Sequence, residues 1–227
     1  MEISSCRIDG KFASTVITPV IRRVVLWRWQ DATQLEQKLS AKEGLAYISY
    51  ASRVDAVDFG EDLGLAGAAN YSLLLARDHR DKASWDDYNS DPHHYRVGAF
   101  IDTLTHEEIT ARADYVYKGQ PSIQGRVRHL ALHFWQEGVD AEAKQEARRA
   151  LASLRADCES LQALEVVDDL GWAGIGRADL VVEAHFVDGD TARAFLEHPA
   201  WRAAQELLGP LTQTERTAQI QHTMKSG

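Results

Sequence analysis

The sequence predicts an α+β fold made of two tandem units, each of order β-α-β-β-α-β, and three observations predict it. The run Asp62-Leu63-Gly64-Leu65-Ala66-Gly67 recurs as Asp169-Leu170-Gly171-Trp172-Ala173-Gly174, a shift of 107 residues that holds without a gap to Tyr117 and Met224. Over those 56 positions 13 are identical, where ordinary compositions give about three or four by chance. Upstream, with one residue slipped, Val20 to Gln30 overlies Arg126 to Gln136. Finally, each copy alternates strand-like and helix-like stretches in the same order. A match at one fixed period is the mark of duplication.

Each copy opens on a β-rich run, Ile21 to Trp29 or Val127 to Trp135, whose Val, Leu and Trp content suits a strand buried on both faces. A helical period follows, clear in Ala141 to Leu154 and weaker in Thr33 to Ile48. A short strand then ends at the Asp-Leu-Gly turn, and a third strand runs from Tyr71 to Arg77 or Ala178 to Phe186. A second helical region, Trp85 to Phe100 or Ala192 to Leu208, leads into a closing strand, Thr110 to Tyr117 or Thr217 to Met224. This is the split βαβ arrangement, with both helices on one face of a four-stranded antiparallel sheet.

One such sheet leaves its other face bare, and a bare apolar face of several hundred Å² is unusual on a soluble monomer. Two copies in one chain solve this, so the sheets are expected to pack face to face or close into a shared barrel. The resulting boundaries are an extension over 1–18, a first domain over 19–117, a flexible link over 118–125 and a second domain over 126–224.

Composition excludes several function classes. At 227 residues, 44% hydrophobic and 26% charged, the values are those of a globular chain. A formal charge of -9 argues against a nucleic-acid partner, which rests on a cationic surface. Cys6 and Cys158 belong to no Cys-x-x-Cys unit, so neither a zinc site nor a disulfide framework is signalled and a reducing compartment is expected. The N-terminal stretch lacks the pattern of a signal peptide and no segment is apolar for ~20 residues, which predicts a cytoplasmic protein without a membrane partner.

The chemistry-bearing stretch is Trp85 to Val97, which places Tyr88 and His94 on either side of a helix restart. Asp91 suits an N-cap and Pro92 the first helical position. A phenol and an imidazole so held can reach one small cavity, the imidazole as a base titrating near ~6.5 and the phenol as a donor to an oxygen. No metal or other cofactor is expected. His129 and His133 share a strand face with Trp135 by the period of two, and without a Cys or acid at ligand spacing they read as core or cavity lining.

Three features together resemble the stress-responsive A/B barrel (Dabb) family and its olivetolic acid cyclase-like dimeric α+β barrels. They are the basic-then-apolar first strand, the Tyr six residues before a His, and the His-Pro-x-His-like box after the third strand. The resemblance covers both copies and implies ferredoxin-like repeats forming an intramolecular dimeric α+β barrel. It places the family's catalytic Tyr on Tyr88 and the box His on His94, with Asp91 in place of the first His of the box. The first-strand His falls on Arg23, and the first-helix Tyr has no counterpart in register, although Tyr47 and Tyr50 lie a few residues on. The second copy keeps the strand His as His129 but carries Phe195 for the Tyr and Trp201 for the box His. The expectation is a cofactor-independent enzyme of cyclase or lyase type, with aldol-like chemistry on a small carbonyl or polyketide-like substrate. His94 and Tyr88 are the catalytic pair, Arg23, Trp27, Leu73 and Leu75 bind substrate, and His129 and His133 are secondary candidates. The alternative is a non-catalytic ligand-binding or stress-responsive barrel, in which these side chains matter only for packing. A homodimer of the fused barrel is a further expected association.

Overall fold

Alternation along the strands sets the architecture, because successive side chains point to opposite faces of a sheet. The computed structural model describes residues 19–51, 56–67, 70–118 and 126–224. The extension over 1–18 with Cys6, residues 119–125 of the link over 118–125 and the side chain of Tyr50 lie outside the described residues. The first half runs β1 (Val20–Trp27), α1 (Leu35–Ala51), β2 (Ala56–Glu61), β3 (Leu73–His79), α2 (Lys82–Asn89), α3 (Pro92–Asp102) and β4 (Ala111–Tyr117). The second half repeats it as β5 (Val127–His133), α4 (Ala141–Asp157), β6 (Ala163–Asp168), β7 (Leu180–Phe186), α5 (Gly189–Glu197), α6 (Pro199–Leu208) and β8 (Ala218–Thr223). Each half forms a four-stranded antiparallel sheet, of order β2-β3-β1-β4 and β6-β7-β5-β8.

The one-residue slip between copies is visible in the register: Trp27 stands opposite Leu73, and His133, 106 residues on, opposite Leu180. Both first strands end two residues before the Trp that the sequence suggests, and Trp29 and Trp135 instead make isolated bridges to Thr105 and Thr212. The second helical region is two helices in each copy. Pro92 and Pro199 start new helices because a proline supplies no N–H to continue the old one.

On one face of the first sheet, Val24, Leu26, Leu74 and Ala76 meet Leu130, Leu132, Val181 and Ile220 of the second in a shared core. On the other face Val25, Trp27, Leu73 and Leu75 pack with helix residues such as Leu45 and Ile101. The two sheets therefore stack face to face with helices outside. Backbone bonds close the seam: Leu63 N–H donates to Gln221 O and Tyr71 N–H to Gln219 O, each at 2.7 Å. The duplicated Leu170 N–H and Ala178 N–H donate to Asp114 O and Arg112 O at 2.7 and 2.8 Å. The repeated Asp-Leu-Gly turns are thus the ties between halves.

A charged cluster sits between the sheets. Fully buried Glu183 accepts from Arg22 at 2.6 Å, lies 2.9 Å from Arg128 and 2.7 Å from His185, and also binds the Tyr115 hydroxyl. Burial pushes its carboxyl up, but Arg22 and Arg128 outweigh that and hold it well below the usual range.

Candidate functional site

The stretch that restarts the helix does so by capping. The Asp81 carboxylate accepts from Ser84 N–H at 2.8 Å and starts α2, and the Asp91 carboxylate accepts from His93 N–H at 2.8 Å and starts α3. Tyr88 in the last turn of α2 and His94 in the first turn of α3 are thereby brought together, their ring centroids 4.2 Å apart. Both line a cavity of about 280 Å³ between the first sheet and its helices, together with Arg23, Trp27, Leu75 and Arg112. Leu73 is placed elsewhere: it is fully buried in the core beneath the helices and is not among the lining residues.

The sheet floor carries a row of charges set by register. Arg77 on β3 stands opposite Arg23 on β1, which stands opposite Asp114 on β4. The Arg23 guanidinium contacts the Asp114 carboxylate at 3.2 Å, and the same carboxylate accepts from Trp85 Nε1 at 2.7 Å. Asp114 is further tied across the seam, its N–H donating to the Asp169 carboxylate of the second half at 2.7 Å. The Arg77 guanidinium lies 3.7 Å from the centroid of the Tyr88 ring, and its Nε and Nη2 find no hydrogen-bond partner among the described residues. His79, fully buried, lies 5.3 Å from the same ring.

These neighbours set the protonation states. Burial, then Arg23 and Arg77, pull the His94 imidazole down to about 4, so it is neutral at neutral pH and less basic than the sequence alone suggests. Burial also pushes the Tyr88 phenol up, against the opposing pull of Arg77 and Arg23, which keeps it a hydrogen-bond donor. The arrangement thus offers a neutral imidazole acceptor, a phenol donor and fixed cations around one void.

The second half has the same frame without these groups. The equivalent row on its sheet reads Ala184, His129, Gln221, and the positions of Tyr88 and His94 hold Phe195 and Trp201. Those two rings meet at a tilt with centroids 4.8 Å apart and pack against His129 in the second-half core. His129 Nδ1 accepts from Gln221 Nε2 at 2.7 Å, and burial pulls His129 down to about 3 and the fully enclosed His133 to about 4. Neither faces the first-half cavity. Among the described residues no group of three or more His, Cys, Asp or Glu is placed to hold a metal ion, and no helix is long and apolar enough to cross a membrane.

Sequence reasoning missed Arg77, His79 and Asp114. The signal available was the difference between copies, since Ala184, Phe186 and Gln221 stand at the same places.

Comparison with known proteins agrees with this frame. The model of the stress responsive A/B barrel domain family (Dabb) matches residues 21–116 and again 127–219. No curated protein matches the chain. Among solved structures, an anthrone oxidase-like protein is similar over 92% of this chain and 92% of its own, at 11% identity and a TM-score of 0.66. A putative monooxygenase from Fusobacterium nucleatum subsp. nucleatum is similar over 92% and 93%, at 6% identity and a TM-score of 0.53. A dimeric ferredoxin-like protein of unknown function from Thermobifida fusca is similar at 29% identity over 47% of this chain and 99% of its own, with a TM-score of 0.41.

Proposed function

The chain belongs to the stress-responsive A/B barrel domain family, and from that premise we propose that its first half is a cofactor-independent acid-base enzyme acting on a small carbonyl compound. In this reading His94 removes a proton alpha to the carbonyl, and Tyr88 hydrogen-bonds the oxygen on which negative charge accumulates. Arg23 orients the substrate through its fork of donors. Trp27 and Leu75 supply the apolar wall. A carbanion so formed leads to carbon-carbon bond formation or cleavage of the aldol or cyclase kind. The second half serves as scaffold. The reading includes a cytoplasmic location, in keeping with Cys158 as a buried free thiol.

The observation that carries it is the pairing of Tyr88 and His94 at 4.2 Å on the wall of a cavity large enough for a small organic molecule. The test follows solvent deuterium into the alpha carbon of benzoylacetate by proton NMR. Positioned acid-base groups are expected to give exchange about 10²- to 10⁴-fold over buffer, and His94→Ala to remove it. Exchange at full rate in His94→Ala rules His94 out as the base. Binding without exchange supports the ligand-binding barrel instead.

A further inference from the structure

Two arginines buried side by side are costly, since like charges directly opposite each other on neighbouring strands repel and a buried cation needs a partner. Arg77 is 1% exposed and Arg23 7%, and they share a cross-strand row with one carboxylate, Asp114. That carboxylate is already engaged by Arg23 and Trp85. The other carboxylate acting on Arg77, Asp91, caps α3 through His93 N–H. Arg77 Nε and Nη2 and Arg23 Nε have no hydrogen-bond partner among the described residues, and Arg23 lines the cavity.

The second half is an internal control for what the fold itself requires. The same sheet, in the same register, is built there with Ala184 and His129 in place of the two arginines and Gln221 in place of the aspartate. The two arginines are absent from the half where Phe195 and Trp201 pack in the core and present in the half whose equivalent positions, Tyr88 and His94, line a cavity. Their burial therefore belongs to what the cavity receives.

We propose that the first-half cavity binds an organic anion, with a carboxylate or an enolate-type oxygen pair seated on Arg23, which lines the cavity, while Arg77, behind the Tyr88 ring and outside the lining, adds its positive charge to the same row. The proposal rests on the reading of this cavity as the substrate site and narrows its substrate class to acids of limited size, such as 3-oxo acids. It also accounts for the poor basicity of the empty site. Arg23 and Arg77 both depress the His94 imidazole, and an anion beside them relieves that effect, so the base gains strength when the charged ligand arrives. The other charged and titratable groups facing this region are His79, Tyr88, Asp91, Tyr95, Asp102, Arg112 and Asp114, and none adds a free negative charge at the arginine row.

The experiment is calorimetric titration of the full chain with acetate, benzoate, benzoylacetate and neutral methyl benzoylacetate. Benzoylacetate is expected to bind at least about tenfold more tightly than its ester, one charge-assisted contact accounting for that factor. Arg77→Ala, which installs the residue the second half carries, should weaken the preference, and the double variant Arg23→His with Asp114→Gln, which installs the second half's pair, should abolish it. Equal affinity of acid and ester, preference that survives both variants, or no binding by any of the anions overturns the proposal. Arginine-dependent preference together with undiminished alpha exchange in His94→Ala keeps the anion site and removes the acid-base reading. Exchange that needs His94, with acid and ester bound equally, does the reverse.

Discussion

Acid should unfold this protein through histidines that have nothing to do with the cavity. His129 and His222 are pulled down to about 3 and His133 to about 4, in each case first by burial. All three are at most 1% exposed and lie in the second half. The folded value is below the unfolded one of 6.5, so between pH 6.5 and about 4 the unfolded chain binds protons that the native chain does not. Stability is therefore fully present above that window and falls as pH drops through it. From pH 7 to pH 5 each such group removes about 2 kcal/mol, so the three together remove about 6 kcal/mol, a large share of the 5–15 kcal/mol typical of a domain. Asp114 and Asp169, whose carboxyls burial pushes up, act in the opposite sense because the native form holds their protons to higher pH. Urea unfolding followed by tryptophan fluorescence at pH 7, 6 and 5, with proton uptake measured by calorimetry in two buffers, reads this out. At pH 5, His133→Leu should lower the uptake by about one proton per molecule unfolded. Stability that is flat between pH 7 and pH 5, or unfolding without proton uptake, refutes the reasoning.

Three further outcomes follow from packing and hydrogen bonding. Glu183→Gln leaves Arg22 and Arg128 facing each other without their shared anion and should cost about 3–5 kcal/mol in urea unfolding. Trp201→Ala, which empties the space between Phe195 and His129, should cost about 3–5 kcal/mol in the same assay. Tyr88→Phe removes the donor at the cavity but copies the ring present at position 195. It should slow alpha exchange by about 10²- to 10³-fold, as for one lost oxyanion contact, while the unfolding midpoint stays near that of the parent protein.

Some of this was legible in the sequence and some was not, for physical reasons. The duplication was legible because the Asp-Leu-Gly turns carry backbone ties between halves and have kept their residues. The restart at Asp91-Pro92 was legible because capping is local, and it alone places Tyr88 against His94. Arg77 and Asp114 were not, because their meaning lies in a row across three strands. An arginine near the end of a strand looks like any side chain reaching for solvent until the register is known. Leu73 and Leu75 show the same limit at closer range, since both face the helices but only Leu75 reaches the cavity wall. The imidazole's weak basicity was hidden for the same reason, being caused by arginines distant in sequence.

The central claim is that the two halves share a frame and differ in chemistry, the cavity of the first being the reacting site. Its most direct measurement is alpha exchange of benzoylacetate by the double variant Tyr88→Phe with His94→Trp, which gives the first half the second half's side chains. The account predicts exchange at the buffer rate from a chain that still folds. Exchange at the rate of the unaltered protein would contradict it.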